Sequence, residues 1–250
     1  MIVPPGYERL LQAHAVAVAR SDVIPALRQA LTGFDGSRST LHDCAARTHG
    51  ARALRGRGTA WTMTLGERRV VVRHNLHGGM FAAITGDRFL APTRAPRELE
   101  VSLALLARGV RTPEVLAYVL YPPGAVIQRA DVATAEITSG RDLADVLRND
   151  GAHARESALA ATADLVASLS RAGARHHDLN AKNVLIARDG AWVLDVDRVA
   201  LGQSPADALE GNMARLARSL RKWRQRFGVE ISDAEIGLVD ARARALAGHH

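Results

Sequence analysis

The sequence predicts an α+β fold in two lobes, the first built mainly of strands and the second mainly of helices. Three observations carry this reading. Between about residues 51 and 138, β-type runs come in pairs around one amphipathic helix; after Ser139-Gly140 the pattern turns helical; and 250 residues with 47% hydrophobic content and 24% charge can bury a sizeable core. The expected organisation is a helical and turn extension at 1–50, a sheet-bearing lobe at 51–138 and a helical lobe at 139–250.

Each element has a local reason. The first 55 residues read as helix and turn, with an Ala- and Leu-rich run from Asp22 to Leu31 behind a Ser21 cap. Ala60 to Leu65 and Arg68 to His74 are β-type runs joined by Gly66-Glu67, a hairpin link. Behind Pro96, a helix runs through Leu106, its apolar positions recurring at helical spacing until Gly109. Val115 to Tyr121 and Val126 to Ile137 read as two more strands about the turn Pro122-Pro123-Gly124. A connector near Glu136 to Gly140 leads to helices at Arg141 to Arg148 and about His153 to Arg171. Asn212 to Phe227 is the last expected helix, with Met213, Leu216, Leu220, Trp223 and Phe227 on one face. A cleft between the lobes is the expected ligand site.

The formal net charge of +7 points to anionic partners such as nucleotide, nucleic acid, lipid head groups or acidic sugars. Aromatic residues, at 4%, are too sparse for the stacking platform of a single-strand or RNA reader, so no nucleic-acid partner is expected. Cys44 is the only cysteine, which excludes an intrachain disulfide and a multi-cysteine metal site and favours a reducing compartment. No apolar run approaches the roughly 18 residues of a membrane span, and the N-terminus lacks a basic-then-apolar signal. A cytoplasmic location follows as the expectation; oligomeric state is not legible.

The most informative stretch is Arg175-His176-His177-Asp178-Leu179-Asn180-Ala181-Lys182-Asn183-Val184-Leu185-Ile186, followed by Trp192-Val193-Leu194-Asp195-Val196-Asp197. It holds an Asp, an Asn five residues later, an apolar strand, and a second Asp twelve residues beyond that Asn. A kinase site needs these groups in this order, so the expected fold sharpens to a bilobal protein-kinase-like one. Asp178 is the candidate catalytic base or hydroxyl-orienting group, His176 braces its loop, and Asn180 stands near the transferred phosphate. Asn183 and Asp195 are candidate ligands of the Mg²⁺ on ATP, and Asp197 either supports a second ion or caps the next turn.

In the first lobe, Gly56 and Gly58 precede the hairpin where a loop over the nucleotide phosphates is expected, although the pair falls short of Gly-x-Gly-x-x-Gly. The lobe has no lysine; the chain's only two are Lys182 and Lys222. Arg73 must therefore supply the cation that meets the phosphates, and an arginine fork does not simply replace a compact ammonium. Glu98, 25 residues on in the lobe's one amphipathic helix, is its expected partner, whereas Glu100 points to another face. Glu136, at the connector, completes the candidate nucleotide-binding set.

Several further segments extend the pattern: Val72-Arg73-His74, His77-Gly78-Gly79, Gly86-Asp87-Arg88-Phe89-Leu90, Arg97-Glu98, and Arg129-Ala130-Asp131-Val132 leading to Glu136-Ile137. With Asp178-Leu179-Asn180-Ala181-x-Asn183 and Asp195-Val196-Asp197, this series resembles the lipopolysaccharide core kinases that phosphorylate 3-deoxy-D-manno-octulosonic acid (Kdo), within the Kdo/heptose kinase group. The resemblance runs from roughly Gly56 to Trp223 and implies that arginine in place of lysine at Arg73 is a family feature. It also implies an ATP-dependent enzyme at the cytoplasmic face of the inner membrane, transferring the γ-phosphate to a Kdo hydroxyl of Kdo-lipid A or a related core acceptor. Val196 departs from the family's usual Phe and Lys182 from its frequent His, which leaves the acceptor sugar open, and residues 1–50 have no counterpart.

Arg215, Arg218, Arg221, Lys222, Arg224 and Arg226 put six positive charges within twelve residues. That cluster suits an anionic membrane surface and equally suits a packed helix with a solvated basic face. Two other functions stay open: a kinase for a different small hydroxylated acceptor, of the aminoglycoside or choline type, and a pseudokinase that binds nucleotide without turnover.

Overall fold

A computed structural model describes residues 3–12, 14–32, 40–55, 59–74, 89–90, 94–121 and 127–248. The chain divides into two compact units, Met1–Glu100 with Glu114–Glu136 and Val101–Pro113 with Ile137–His250. Residues 101–113 leave the expected 51–138 lobe because Val101, Leu105 and Val110 pack into the core of the second unit.

The first unit is an antiparallel sheet of β1 (Tyr7–Gln12), β2 (Ala15–Arg20), β3 (Ala53–Arg55), β4 (Thr59–Leu65), β5 (Arg68–His74), β7 (Val115–Tyr121) and β8 (Ile127–Ala135) in the order β1-β2-β7-β8-β5-β4-β3, with β6 (Phe89–Leu90) also on β8. The N-terminal stretch is thus not the helical extension that its composition suggests. β1 pairs with β2, and β2 lies along β7 with Ala17 opposite Val119. Ala17, Val18 and Ala19 are all fully buried, and a strand covered on both faces loses the alternation that marks strands in sequence. Alanine's helix preference of a few tenths of a kcal/mol or more over β-branched residues yields to that pairing. Ser21 does not cap a helix: its hydroxyl donates to the Gly6 carbonyl at 3.2 Å, and a 3₁₀ turn at Ser21–Val23 leads into α1 (Ile24–Thr32).

Gly66, with φ +61°, opens the two-residue loop between β4 and β5 and holds Leu65 opposite Arg68, as a tight hairpin requires. Along β5, Val70 and Val72 are buried with Leu27 of α1 and Leu41 of α2 (Leu41–Arg47). Strand geometry turns Arg73 to the opposite face, toward Glu98 in α3 (Ala95–Ala107). His74 sits opposite Asp131 of β8 in the ladder, and its Nδ1 is bonded to Asp131 Oδ1. The other oxygen of this fully buried carboxylate accepts from the His42 amide at 2.8 Å and the Tyr121 hydroxyl at 3.1 Å. The Arg-His and Arg-Ala-Asp segments, far apart in sequence, are therefore two sides of one strand pair.

The second unit contains β9 (Arg141–Asp142), α4 (Leu143–Asn149), α5 (Ala152–Arg171), β10 (Arg175–His176), β11 (Val184–Ala187), β12 (Gly190–Val193), β13 (Val199–Ala200), α6 (Pro205–Phe227) and α7 (Asp233–Ala247). Its core gathers Leu143, Leu147, Val166, Leu169, Leu179, Val193, Leu216 and Leu220. The helix expected at Asn212 begins at Pro205, behind a Ser204 cap that accepts from the Asp207 amide, and stops at Gly228 with φ +65°. It is not the last: α7 follows, started by a Ser232–Glu235 capping box and burying only Ile236, Val239 and Ala243 along its length.

Candidate active site

The loop after β10 is held by main-chain bonds to the segment after β12. The Leu194 amide donates to the Asn183 carbonyl at 2.9 Å, which puts Asp195 next in line beyond Asn183, and the His177 amide donates to the Arg198 carbonyl at 3.0 Å. β10 pairs with β13, closing the same seam from the other side. His176, fully buried, spans it: the Asp178 amide donates to His176 Nδ1 at 3.1 Å, so the proton sits on Nε2, which donates to the Leu194 carbonyl at 2.9 Å. Burial pushes the imidazole below its ordinary pKa, in keeping with that neutral form.

Within the loop, the Asn180 and Asn183 side-chain amides both donate to the Asp178 carbonyl, at 3.0 and 2.9 Å. The Asn180 side-chain oxygen, Oδ1, in turn accepts from the Lys182 amide at 2.9 Å. Asn180 is therefore occupied in shaping the turn through both its side-chain donor and its side-chain acceptor. Asp195 adopts a left-handed backbone, φ 56° and ψ 48°, a conformation that costs a non-glycine residue about 1 kcal/mol or more and clusters at functional sites. Asp197 lies 3.8 Å from the Arg198 guanidinium.

Sequence reasoning missed how α6 serves this loop. Asn212, fully buried, accepts from the His176 amide at 2.8 Å and donates to the Ala174 carbonyl at 2.9 Å. One turn on, Arg215 Nη2 bonds Asp178 Oδ1; the Ser219 hydroxyl accepts from the Ala181 amide at 3.1 Å; and the Trp223 ring lies 5.4 Å beneath the Lys182 ammonium. Residues 212, 215, 219 and 223 recur at helical spacing, so one stripe of α6 follows the loop from His176 to Lys182. The signal was a polar Asn212 and Ser219 bordering an otherwise apolar face. Lys182 itself is tied to Asp142, the N-cap of α4, at 2.9 Å.

In the first unit, Arg73 Nη2 bonds Glu98 Oε1; the Glu98 side chain is 3% exposed and that of Arg73 27%, so the acid is the more deeply sequestered of the pair. Glu136 is engaged by Arg52 at 3.0 Å and Arg69 at 2.7 Å. Gly56 and Gly58 lie outside the described residues, as do His77-Gly78-Gly79 and Gly86-Asp87-Arg88.

Residues 45–242 match the lipopolysaccharide kinase (Kdo/WaaP) family. The chain belongs to that family. Among its relatives, the 3-deoxy-D-manno-octulosonic acid kinase of Vibrio parahaemolyticus is 30% identical over 72% of this chain and 79% of its own. The proteins of the same name from Xanthomonas oryzae pv. oryzae and Stenotrophomonas maltophilia are each 36% identical over 70% of this chain, covering 72% and 71% of their own. A solved structure titled "WaaP in complex with acyl carrier protein" is similar at 17% identity and a TM-score of 0.43, covering 78% of this chain and 88% of that one. Membership in this lipopolysaccharide kinase family makes the chain a phosphotransferase with ATP as its phosphoryl donor.

Proposed function

We propose that the protein is a 3-deoxy-D-manno-octulosonic acid kinase, transferring the γ-phosphate of ATP to a Kdo hydroxyl in the lipopolysaccharide inner core. One observation carries the reading: the Asp178, Asn183 and Asp195 set is bonded into one seam in a chain 30–36% identical to kinases of that name. Asp178 orients the acceptor hydroxyl and takes its proton as the oxygen attacks the γ-phosphorus in line; the bond to the β-phosphate oxygen breaks, and ADP leaves. His176, neutral and doubly bonded, holds the loop, and Asn180 shapes it beside the transferred group.

The oxygen donors Asn183 Oδ1, Asp195 and Asp197 fit Mg²⁺, a hard cation that takes such ligands and, when bound, neutralises phosphate charge. Arg73, backed by Glu98, supplies the cation for the phosphates, and Glu136 stands at the connector. Transfer of labelled phosphate from ATP to Kdo-lipid A tests the assignment. Asp178→Asn should lower kcat about 10²–10⁴-fold; activity equal to wild type sinks it. Loss of turnover with EDTA and recovery with Mg²⁺ checks the metal.

Contact with an anionic leaflet also belongs to this reading, on narrower support than charge counting gives. Arg215 is bonded to Asp178, and Arg221 and Arg224 to Asp233. Arg218, Lys222 and Arg226, all exposed, form a stripe four residues apart beside Phe227, which is 47% exposed. Three such charges are worth roughly 3 kcal/mol at an anionic surface, half of what six would supply. Among the described residues no helix is long and apolar enough to cross a membrane.

A further inference from the structure

At the Lys182 end of the loop, a depression of about 120 Å³ is lined by Ala144, Asp145, Arg148 and Asn149 of α4, Lys182, and Trp223 of α6. None of the roles assigned above uses it. Its volume is well below the roughly 300–1,000 Å³ of a whole-ligand pocket, so it suits one end of a larger ligand and not a nucleotide. Its charges are unevenly matched. The Asp145 carboxylate is already taken by Arg141 at 2.7 Å and the Asn149 amide at 2.6 Å, and the Lys182 ammonium is fixed between Asp142 and the Trp223 ring. Arg148, exposed on the rim, has no ion pair among the described residues. One pre-set ammonium, one guanidinium without a counter-charge, an amide and an indole wall together match a sugar that carries an oxyanion. A cationic acceptor would meet two like charges there, and a neutral one would leave Arg148 unanswered.

We propose that this depression is the subsite for an anionic sugar group of the acceptor, held by Arg148 and Lys182 against Trp223, so that the chain selects acidic acceptors. It lies four residues from Asp178, at most about 14 Å of extended chain and less in this folded loop, within reach of one acceptor molecule. The inference rests on the kinase reading for what the bound sugar then undergoes. The oxyanion has two sources in Kdo-lipid A, the Kdo carboxylate and the lipid A phosphates.

Three acceptors separate these sources: Kdo-lipid A, the same molecule with its lipid A phosphates removed, and its Kdo carboxamide. Arg148 is exposed, so Arg148→Gln should fold; on Kdo-lipid A it should raise the acceptor KM tenfold or more with kcat within about twofold and the KM for ATP unchanged. On the acceptor that lacks the recognised oxyanion, the variant and wild type should have the same KM, which names the group. Wild-type acceptor KM in both Arg148→Gln and Lys182→Gln, on all three acceptors, overturns the subsite and leaves the kinase reading standing. Should wild type transfer phosphate to none of them, the kinase reading fails, and binding decides the subsite alone. With Trp61 and Trp192 replaced by Phe, Trp223 is the remaining tryptophan, and free Kdo and glucosamine 1-phosphate are titrated in turn against its fluorescence; the one that carries the recognised oxyanion should give a saturable change that Arg148→Gln weakens at least tenfold. No change with either, or an equal one in the variant, overturns it.

Discussion

The bond between Arg215 and Asp178 holds one oxygen of the proposed catalytic carboxylate, Oδ1, and so restricts how the group can turn. The arginine's Nε is buried without a hydrogen-bond partner among the described residues, a cost of about 1–3 kcal/mol that the fold carries for holding this pose. Arg215 is therefore a positioning residue, and Arg215→Gln should lower kcat roughly 10–100-fold, the equivalent of a charged hydrogen bond, while the KM for ATP stays put. Arg215→Lys should restore part of kcat; equal losses in both variants would mean that Arg215 merely packs. His176 leads to a pH prediction. Its folded pKa lies below the unfolded value of about 6.5, so between the two the unfolded chain binds more protons and stability rises with pH. The stabilisation is complete above about pH 6.5 and is lost as pH falls through the folded pKa, at no more than about 1.4 kcal/mol per pH unit for one proton. Thermal melts from neutral pH downward should show the gap between wild type and His176→Asn narrowing with acid; a constant gap would contradict the neutral tautomer.

α5 ends in a Schellman turn: the Ala174 amide bonds the Leu169 carbonyl and the Gly173 amide bonds that of Ser170, with Gly173 at φ +61°. A Cβ there would stand 2.7 Å from the Gln203 carbonyl oxygen, a backbone atom that cannot swing aside. Gly173→Ala should cost about 2 kcal/mol or more, lowering Tm by roughly 4–8 °C, and since β10 starts two residues later, kcat should fall with it. An unchanged melting point would show that the turn relaxes freely. Punctuation of this kind is what made much of the fold readable. Gly66-Glu67 announced the β4–β5 hairpin, Gly109 ended α3, and Arg73 and Glu98 could be matched because one strand and one helix place them on facing sides. The rest depended on partners distant in the chain. β2 is a strand because β7 covers it about a hundred residues later, and Arg215 looked like surface charge because nothing local reveals that α6 runs beneath the Asp178 loop.

The pairing of β2 with β7 decides what residues 1–20 do for the protein. The family match begins only at residue 45, so the hairpin lies outside the shared region, yet its strands occupy one edge of the sheet. The Tyr7 hydroxyl donates to the Val115 carbonyl at 2.7 Å, and Arg20 grips Glu114 with two bonds of 2.9 Å, so the hairpin is fastened at its base to the start of β7. Arg20, and then Arg68, also hold the Asp22 carboxyl down at about 2, which ties the end of β2 to β5. Removing residues 1–20 would uncover β7, whose Val115, Leu116, Val119 and Tyr121 are buried, and would leave its backbone donors and acceptors as an open edge. Such an edge is a template for pairing with other copies, so the truncated chain should be mostly insoluble, and any soluble fraction should melt at least 10 °C lower, given about 2–4 °C per kcal/mol at this size. Hydrogen exchange offers a check on the intact protein. Amides of β7 should be among the slowest to exchange, whereas a hairpin that is a loose appendage would leave them exchanging like an edge strand. A truncated chain that is soluble, melts normally and keeps its turnover would show that the sheet begins, in energetic terms, at β7.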